Sequence, residues 1–275
     1  MKIATIDNLF ERIGFVTKEV KKDKDYGESY QALAQISADR NKLIYSSEDI
    51  KMDVAERLKN ADRHLPMHPD VAKLVIDILD DCASEGSIRA MNELGDIYSL
   101  GRTGKVDDNK AIYYLKMADK SGDVSASVRL GYIYYHNSSG EPDYEKAYNC
   151  FVKGALADNI FSLYMLGDFY MKGYYVETDI IKAYEIYEKC LYMLDDEEDI
   201  LPEGLDVYIR VADCLYHGAG VKRKILNAFE FYTMAEYLVY KTLVTRDIFY
   251  KDKLEHILKY EEKIRKELRE TVLPI

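Results

Sequence analysis

Residues 94–101 read LGDIYSLG, residues 130–137 read LGYIYYHN, and residues 166–173 read LGDFYMKG. The three stretches share the pattern Leu-Gly-x-x-Tyr, and each begins 36 residues after the one before it. A fixed period of this length is typical of a repeat protein, in which every unit is one small motif that stacks on its neighbours. The period therefore predicts the fold more strongly than any single segment of the chain does.

Further columns keep the same interval. Three of them follow the motif: an aspartate column at Asp107, Asp143 and Asp179, a lysine column at Lys110, Lys146 and Lys182, and an alanine column at Ala111, Ala147 and Ala183. A fourth copy follows after a 45-residue step and places Val211, Ala212, Leu215, Gly218 and Ala228 in the corresponding columns. The nine additional residues fit the region of the acidic stretch 195–199 with Pro202 behind it, which indicates a longer loop.

The glycine of the motif indicates close packing between two helices. Leu94 and Tyr98 are four residues apart, so they share one face of a first helix. A glycine inside a helix costs about 1 kcal/mol relative to alanine, so its return in three copies, with Ala212 in the fourth, indicates that a second helix approaches closely there. We expect the glycine column (Gly95, Gly131, Gly167) to face the alanine column (Ala111, Ala147, Ala183, Ala228).

The ends of the helices are predicted by turn chemistry. Gly101, Gly173 and Gly218 lie just past the first helix, where a left-handed residue is favoured, and the second copy has Asn137 there. The aspartate column lies four residues before the alanine column, where it predicts N-caps for the second helices. The fourth copy has Lys224 at the cap position. Each unit is therefore predicted to be helix, loop, helix.

The pattern A-x-x-x-L-G-x-x-Y-x-x-G, followed by D-x-x-K-A and two bulky residues, resembles the Sel1-like repeat, a relative of the tetratricopeptide repeat with a longer inter-helix loop. The resemblance covers about residues 88–238, with a weaker half unit at 70–86. The tryptophan of the usual Trp-Tyr pair is absent from every copy, and the usual Gly-Val of the loop is best kept at Gly220-Val221. The resemblance implies an all-α fold, an α/α superhelical solenoid, that grips protein partners as a scaffold or adaptor and has no catalytic residues.

The resemblance and the flanking helical patterns divide the chain into three parts. Residues 1–66 are expected to form an N-terminal helical cap or degenerate repeat, with a small separate domain as the alternative. Residues 67–240 form the repeat array, and residues 241–275 a C-terminal capping helix with a polar outer face. An alternative role for that helix is homodimerisation through its apolar stripe, formed by Leu254, Ile257, Leu258, Ile264 and Leu268. Two i,i+4 ion pairs are predicted on it, Glu261–Arg265 and Glu262–Lys266.

The composition excludes several classes of function. A formal charge of −11 argues against a nucleic-acid partner, which needs a basic face. No run of about 18 apolar residues indicates a membrane span, and the N-terminus, with Asp7 and no apolar stretch, predicts no signal peptide. Four scattered cysteines are expected to be buried thiols in a reducing compartment. We therefore expect a cytoplasmic protein.

The sequence predicts no catalytic, cofactor or metal site. His64 and His68 are the only close pair of histidines, and no third ligand accompanies them at a fixed spacing. The chain has no phosphate-binding loop of the GxxxxGK[ST] type, no dinucleotide fingerprint, no GxSxG and no HExxH. We therefore expect a protein that is not an enzyme.

The predicted binding surface is the concave side of the solenoid, which the first helices usually line. Residues of those helices that point away from the core are rich in Tyr, Met and Arg, which are common in interfaces. These groove residues are Asn92, Asp96, Arg129, Tyr132, Tyr135, Tyr164, Met165, Asp168, Met171, Arg210, Asp213 and Tyr216. The other interpretation is that neighbouring helices cover them.

The sequence therefore predicts a non-enzymatic scaffold or adaptor that holds a peptide or protein of unknown identity. The alternative is a regulatory or carrier subunit of an enzyme, with residues 1–66 as the effector part.

Overall fold

The computed structural model describes residues 6–39, 47–61, 66–138, 140–195, 202–243 and 250–272. Within these ranges the chain forms α-helices and one short 3₁₀ turn, Lys24–Tyr26, and contains no β-strand. The predicted all-α fold of helix-turn-helix repeats is confirmed. The acidic stretch 195–199, for which the sequence predicts a longer loop, lies outside the described residues except for residue 195. His64 also lies outside them.

The helices alternate as the repeat period requires. Four of them, which we number α1 to α4, precede the array: α1 Ile6–Val20, α2 Gly27–Asp39, α3 Ser47–Asn60 and α4 Pro69–Ser84. The first helices of the four copies are α5 Ile88–Ser99, α7 Val124–His136, α9 Ile160–Lys172 and α11 Pro202–His217. The second helices are α6 Asp108–Lys120, α8 Tyr144–Leu156, α10 Ile180–Asp195 and α12 Ile225–Leu243, and α13 Lys251–Val272 follows the array.

The chain divides into two compact units, residues 1–143 and residues 144–275. The boundary lies inside the second copy, between α7 and α8. In unit 1, α5 packs on α6 and on α4, and α6 packs on α7. In unit 2, α9 packs on α8 and α10, while α11 packs on α10 and α12. Each unit has its own buried core, with Leu94 and Leu115 fully buried in unit 1 and Phe151 and Phe169 in unit 2.

Left-handed residues end the first helices, as predicted. Gly101, Gly173 and Gly218 have φ angles of 65°, 70° and 72°. Asn137 takes the same role in the second copy with a φ of 35°, and its N–H donates to the carbonyl of Ile133. A β-branched or bulky residue would be strained at these positions.

The loop between the two helices of each copy is closed by one recurring hydrogen bond. The backbone N–H of the residue in the aspartate column donates to the carbonyl nine positions earlier: Asp107 to Tyr98, Asp143 to Tyr134 and Asp179 to Tyr170, each at 2.9 Å, and Lys224 to Leu215 at 3.0 Å. The side chains of Asp107 and Asp179 also accept from the N–H groups of Lys110 and Lys182, which confirms two of the predicted N-caps. The fourth copy thus keeps the backbone closure although its cap residue is a lysine.

The motif glycines do mark close approaches, but the atoms nearest to them are not those of the alanine column. A Cβ atom added to Gly95 would come within 2.6 Å of the side chain of Leu115. A Cβ atom on Gly167 would overlap the ring of Tyr187. Leu115 and Tyr187 are the second members of the bulky pairs on the second helices, and both are buried. Gly95 and Gly167 therefore each accommodate a large side chain, and the alanines Ala111, Ala147, Ala183 and Ala228 are fully buried.

Two of the N-terminal helices pack on α4, the helix of the half unit. Both α1 and α3 contact α4. Arg12 on α1 forms an ion pair with Asp77 at 2.6 Å, and Lys51 on α3 forms one with Asp81 at 2.5 Å. Leu9, Ile13, Leu33, Ile36 and Leu58 are fully buried in the same unit.

The last helix, α13, packs on α12 through part of its predicted stripe. Ile257 and Ile264 are fully buried, and Glu261 is buried between them on the same face of the helix. Leu258, which was predicted to belong to the stripe, is exposed. The predicted pair Glu261–Arg265 is confirmed at 3.0 Å. Lys266 approaches Glu270 at 4.0 Å. A homodimer through this helix stays a prediction.

Candidate functional site

The groove residues lie on the first helices, as the repeat phase requires. Unit 1 carries five of them: Asn92 and Asp96 on α5, and Arg129, Tyr132 and Tyr135 on α7. Unit 2 carries the other seven: Tyr164, Met165, Asp168 and Met171 on α9, and Arg210, Asp213 and Tyr216 on α11.

The charged groove residues pair with one another across successive first helices. In unit 1 the Nε atom of Arg129 on α7 lies 3.1 Å from Oδ1 of Asp96 on α5. In unit 2 Arg210 on α11 lies 2.5 Å from Oδ2 of Asp168 on α9. The separations are 33 and 42 residues, and they differ by the nine residues that lengthen the step to the fourth copy. The two pairs are therefore the same contact in two copies of the repeat.

The Asp168 carboxylate is fully engaged. It accepts from Nε of Arg210 at 2.7 Å, from Nη2 of Arg210 at 2.5 Å and from the hydroxyl of Tyr187 at 2.7 Å. The guanidinium also lies over the ring of Tyr164, 4.5 Å from the centroid, and donates to Asp206. Burial and the neighbouring carboxylate raise the pKa of Tyr187, so this hydroxyl stays protonated and acts as a donor. The result is a bidentate pair held on three helices.

The next copy repeats part of this arrangement. Asp213 on α11 accepts from the hydroxyl of Tyr232 at 2.5 Å, with the same spacing of 19 residues that separates Asp168 from Tyr187. An imidazole nitrogen of His256 on α13 lies 2.9 Å from Asp213, so α13 supplies the partner that Arg210 supplies one copy earlier. Tyr216 lies beside it against the ring of Tyr260, 5.1 Å away.

Several groove residues of unit 2 are packed. Tyr164, Met165 and Asp168 are buried, and Met171, Arg210, Asp213 and Tyr216 are half-buried. The burial of Tyr164, Met165 and Asp168 fits the alternative interpretation, in which neighbouring helices cover the groove residues. The ring of Tyr164 lies against Arg210 of the neighbouring first helix α11, and against Phe161 of its own helix, 5.2 Å away.

Unit 1 has a cavity at its groove residues. It has a volume of about 240 Å³ and lies between α5 and α7, and it is lined by Asp96, Ser99, Leu100, Asp108, Arg129, Tyr132, Ile133, His136 and Ser138. Tyr132 is 50% exposed, and its ring lies 4.4 Å from that of His136. Burial raises the pKa of Asp96, and the nearby charge of Arg129 opposes that rise. Three of the predicted groove residues, Asp96, Arg129 and Tyr132, thus meet at one cavity, and the ring of Tyr132 is half exposed there.

Asn92 does not line this cavity and instead makes a hydrogen bond within the fold. Its Nδ2 atom donates to Oδ2 of Asp123, the N-cap of α7, at 2.5 Å. Burial alone would raise the pKa of Asp123, but the hydrogen bonds from Asn92 and Ser125 outweigh it, so the pKa is lowered. Tyr135 is half-buried on α7, near the ring of His136 at 5.0 Å.

Two features escaped the sequence analysis. Asp108 was overlooked because it follows the predicted cap Asp107, yet it is only 5% exposed and lines the unit 1 cavity. A second cavity of about 360 Å³ lies in unit 2 between α10, α11 and α12, with Tyr184, Tyr192, Tyr208 and Phe231 in its wall. Both depend on the spacing of helices from different copies, for which the repeat pattern gives no signal.

In the part of the chain that the structure describes, no cluster of three or more His, Cys, Asp or Glu side chains could hold a metal ion. None of the described helices is both long enough and apolar enough to cross a membrane.

The comparison with protein families agrees with the period of the fold. The family model for the Sel1 repeat matches residues 88–123, 124–159, 160–189 and 206–238. The chain carries four Sel1 repeats. The first three matches begin 36 residues apart, at the boundaries that α5, α7 and α9 define. Sel1 repeats generally mediate protein–protein interactions.

Solved structures share the fold of this Sel1-repeat protein. A Sel1 repeat protein from Oxalobacter formigenes is 16% identical, with a TM-score of 0.54 over 80% of this chain and 88% of that one. The protein c5321, a protective antigen of uropathogenic Escherichia coli with an SLR fold, is 18% identical, with a TM-score of 0.51. That match covers 91% of this chain and 56% of the antigen. No curated protein matches the chain.

Proposed function

We propose that this Sel1-repeat protein is a non-enzymatic scaffold or adaptor that binds a segment of a partner protein on the face of its first helices that carries the groove residues. The observation that carries the proposal is the unit 1 cavity, where Asp96 and Arg129 meet the half-exposed ring of Tyr132. An exposed tyrosine next to a cavity is a typical anchor point of an interface, because the ring supplies contact area at a small cost in conformational entropy.

The ion pairs between copies give this face its rigidity. Asp96–Arg129 and Asp168–Arg210 join successive first helices. Because each arginine is already paired with an aspartate, neither is available to bind a carboxylate of the partner. We propose that the two arginines hold successive first helices in position rather than bind acidic groups of the partner. The formal charge of −11 also disfavours an acidic partner, and we propose a partner that presents mixed or basic charge.

We propose that residues 1–66 cap the array. The ion pairs of Arg12 with Asp77 and of Lys51 with Asp81 tie α1 and α3 to α4 inside unit 1, which supports a cap better than a free effector part. We also propose a cytoplasmic location. Cys82, Cys190 and Cys214 are buried thiols, as is expected in a reducing compartment.

The test starts with co-purification from a lysate of the source organism, read by quantitative mass spectrometry. The bait is the full chain as wild type, Tyr132→Ala or Tyr113→Ala. Tyr113 is a matched control, because it is 60% exposed on the second helix α6 of the same unit. The proposal expects a protein that the wild type and Tyr113→Ala retain and that Tyr132→Ala loses. A partner retained equally by all three baits would place the binding surface elsewhere.

A further inference from the structure

Asp108 has a buried acceptor with no partner. It is the first residue of α6 and is only 5% exposed, and no described residue donates a hydrogen bond to its Oδ2 atom. A buried polar atom without a hydrogen bond is destabilising, and more so when it carries charge. The position of Asp108 at a helix N-terminus offsets part of that cost. The carboxylate is thus tolerated, but its Oδ2 atom still lacks a donor.

The charges around Asp108 are unbalanced. The cavity that it lines contains two carboxylates, Asp96 and Asp108, and one guanidinium, Arg129. Arg129 is paired with Asp96 at 3.1 Å. With histidine counted as neutral, one negative charge is left without a counterion in the wall of the cavity. A ligand with a single positive charge would balance it.

The remaining wall suits a long side chain with a charged end. Leu100 and Ile133 offer apolar surface for an alkyl stem, and the exposed ring of Tyr132 offers a face for a cation. The volume of about 240 Å³ is several times the roughly 30 Å³ that one water molecule occupies in the liquid. The cavity is therefore too large to be explained by a single bridging water.

We propose that the unit 1 cavity takes one basic side chain, lysine or arginine, of the bound protein segment, with its cationic group donating to Asp108 and its stem lying between Leu100, Ile133 and Tyr132. This inference rests on the proposed function and specifies which side chain of the partner is the anchor. It assigns Asp108 as the residue that selects that side chain.

The test uses the full chain and small probes, because the partner is unidentified. Nα-acetyl-lysine methylamide and Nα-acetyl-norleucine methylamide are titrated while two-dimensional NMR follows the amides of α5–α7. The norleucine probe has the same stem length without the ammonium group. The proteins are wild type, Asp108→Asn and Asp158→Asn. Asp158 is an exposed aspartate with a φ of 55°, a conformation that asparagine adopts readily, so it controls for net charge.

We expect the lysine probe to shift amides around the cavity in the wild type and in Asp158→Asn, and to bind at least about fivefold more weakly to Asp108→Asn. Three results would overturn the inference: equal shifts with the norleucine probe, equal weakening by both substitutions, or no shift in the wild type at the highest probe concentration. If Asp108→Asn does not fold, Tyr132→Leu is used with the same expected weakening. A recovered partner that depends on Tyr132 but binds Asp108→Asn normally would refute this inference and leave the proposed function intact.

Discussion

The guanidinium of Arg210 on α11 donates two hydrogen bonds to the carboxylate of Asp168 on α9, at 2.7 and 2.5 Å, and so joins two successive first helices of unit 2. Asp168 is buried and Arg210 is only about a quarter exposed. The bidentate geometry and the third bond, from Tyr187, satisfy the carboxylate as fully as a buried charge requires.

Removing Arg210 should therefore destabilise the protein strongly. Arg210→Met keeps most of the stem but leaves the Asp168 carboxylate buried with only the Tyr187 hydroxyl as a donor. We expect a loss of about 3 kcal/mol in the free energy of unfolding, in the range for breaking a buried pair. Urea denaturation followed by far-UV circular dichroism measures it, since the chain has no tryptophan.

The control for that variant is Arg89→Met. Arg89 pairs with Glu56 at 2.5 Å, but both side chains are about half exposed. An exposed pair contributes about 0–1 kcal/mol, so this variant should unfold close to the wild type. Equal losses in the free energy of unfolding of the two variants would mean that the Asp168–Arg210 pair stabilises the protein no more than an exposed pair does.

The glycine column gives a second prediction. Gly167→Ala should destabilise unit 2, although alanine is the better helix former, because its Cβ would overlap the ring of Tyr187. Overpacking of this kind typically costs about 1–3 kcal/mol. Gly14→Ala on α1 is the matched control, because nothing lies within 4 Å of its added Cβ. That variant should gain up to about 1 kcal/mol from helix propensity. A thermal melt in which Gly167→Ala matches the wild type would show that the Tyr187 ring moves aside freely.

Asp123 gives a pH-dependent prediction. Its pKa is lowered in the folded protein, so the stability that it contributes is present above its unfolded value, about 3.9, and is lost as the pH falls through the folded value. Asn92→Ala removes the Nδ2 donor and should raise the pKa of Asp123, as read by NMR of the carboxyl carbon. The stability difference between the wild type and Asn92→Ala should narrow on acidification. Asn149→Ala, an exposed change on α8, should leave the Asp123 pKa where it is; a shift there too, or none in Asn92→Ala, would contradict the assignment.

Much of the fold could be predicted because each repeat column has a local cause. The left-handed φ angles of Gly101, Gly173, Gly218 and Asn137 follow from residue type and position in the unit alone. The N-caps Asp107 and Asp179 do so as well.

The candidate site was harder to predict because it depends on contacts between copies. The repeat phase places Asp96 and Arg129 on outward faces, but their pairing depends on how far one first helix lies from the next. The burial of Tyr164 and the unpartnered Asp108 have the same origin.

The most direct test of the binding face is hydrogen–deuterium exchange of the full chain with and without the partner that co-purifies through Tyr132. The account predicts slower amide exchange in α5 and α7 when the partner is bound, and unchanged exchange in the second helices α10 and α12. Protection confined to those second helices, or to α1–α4, would contradict the assignment of the first helices as the binding face.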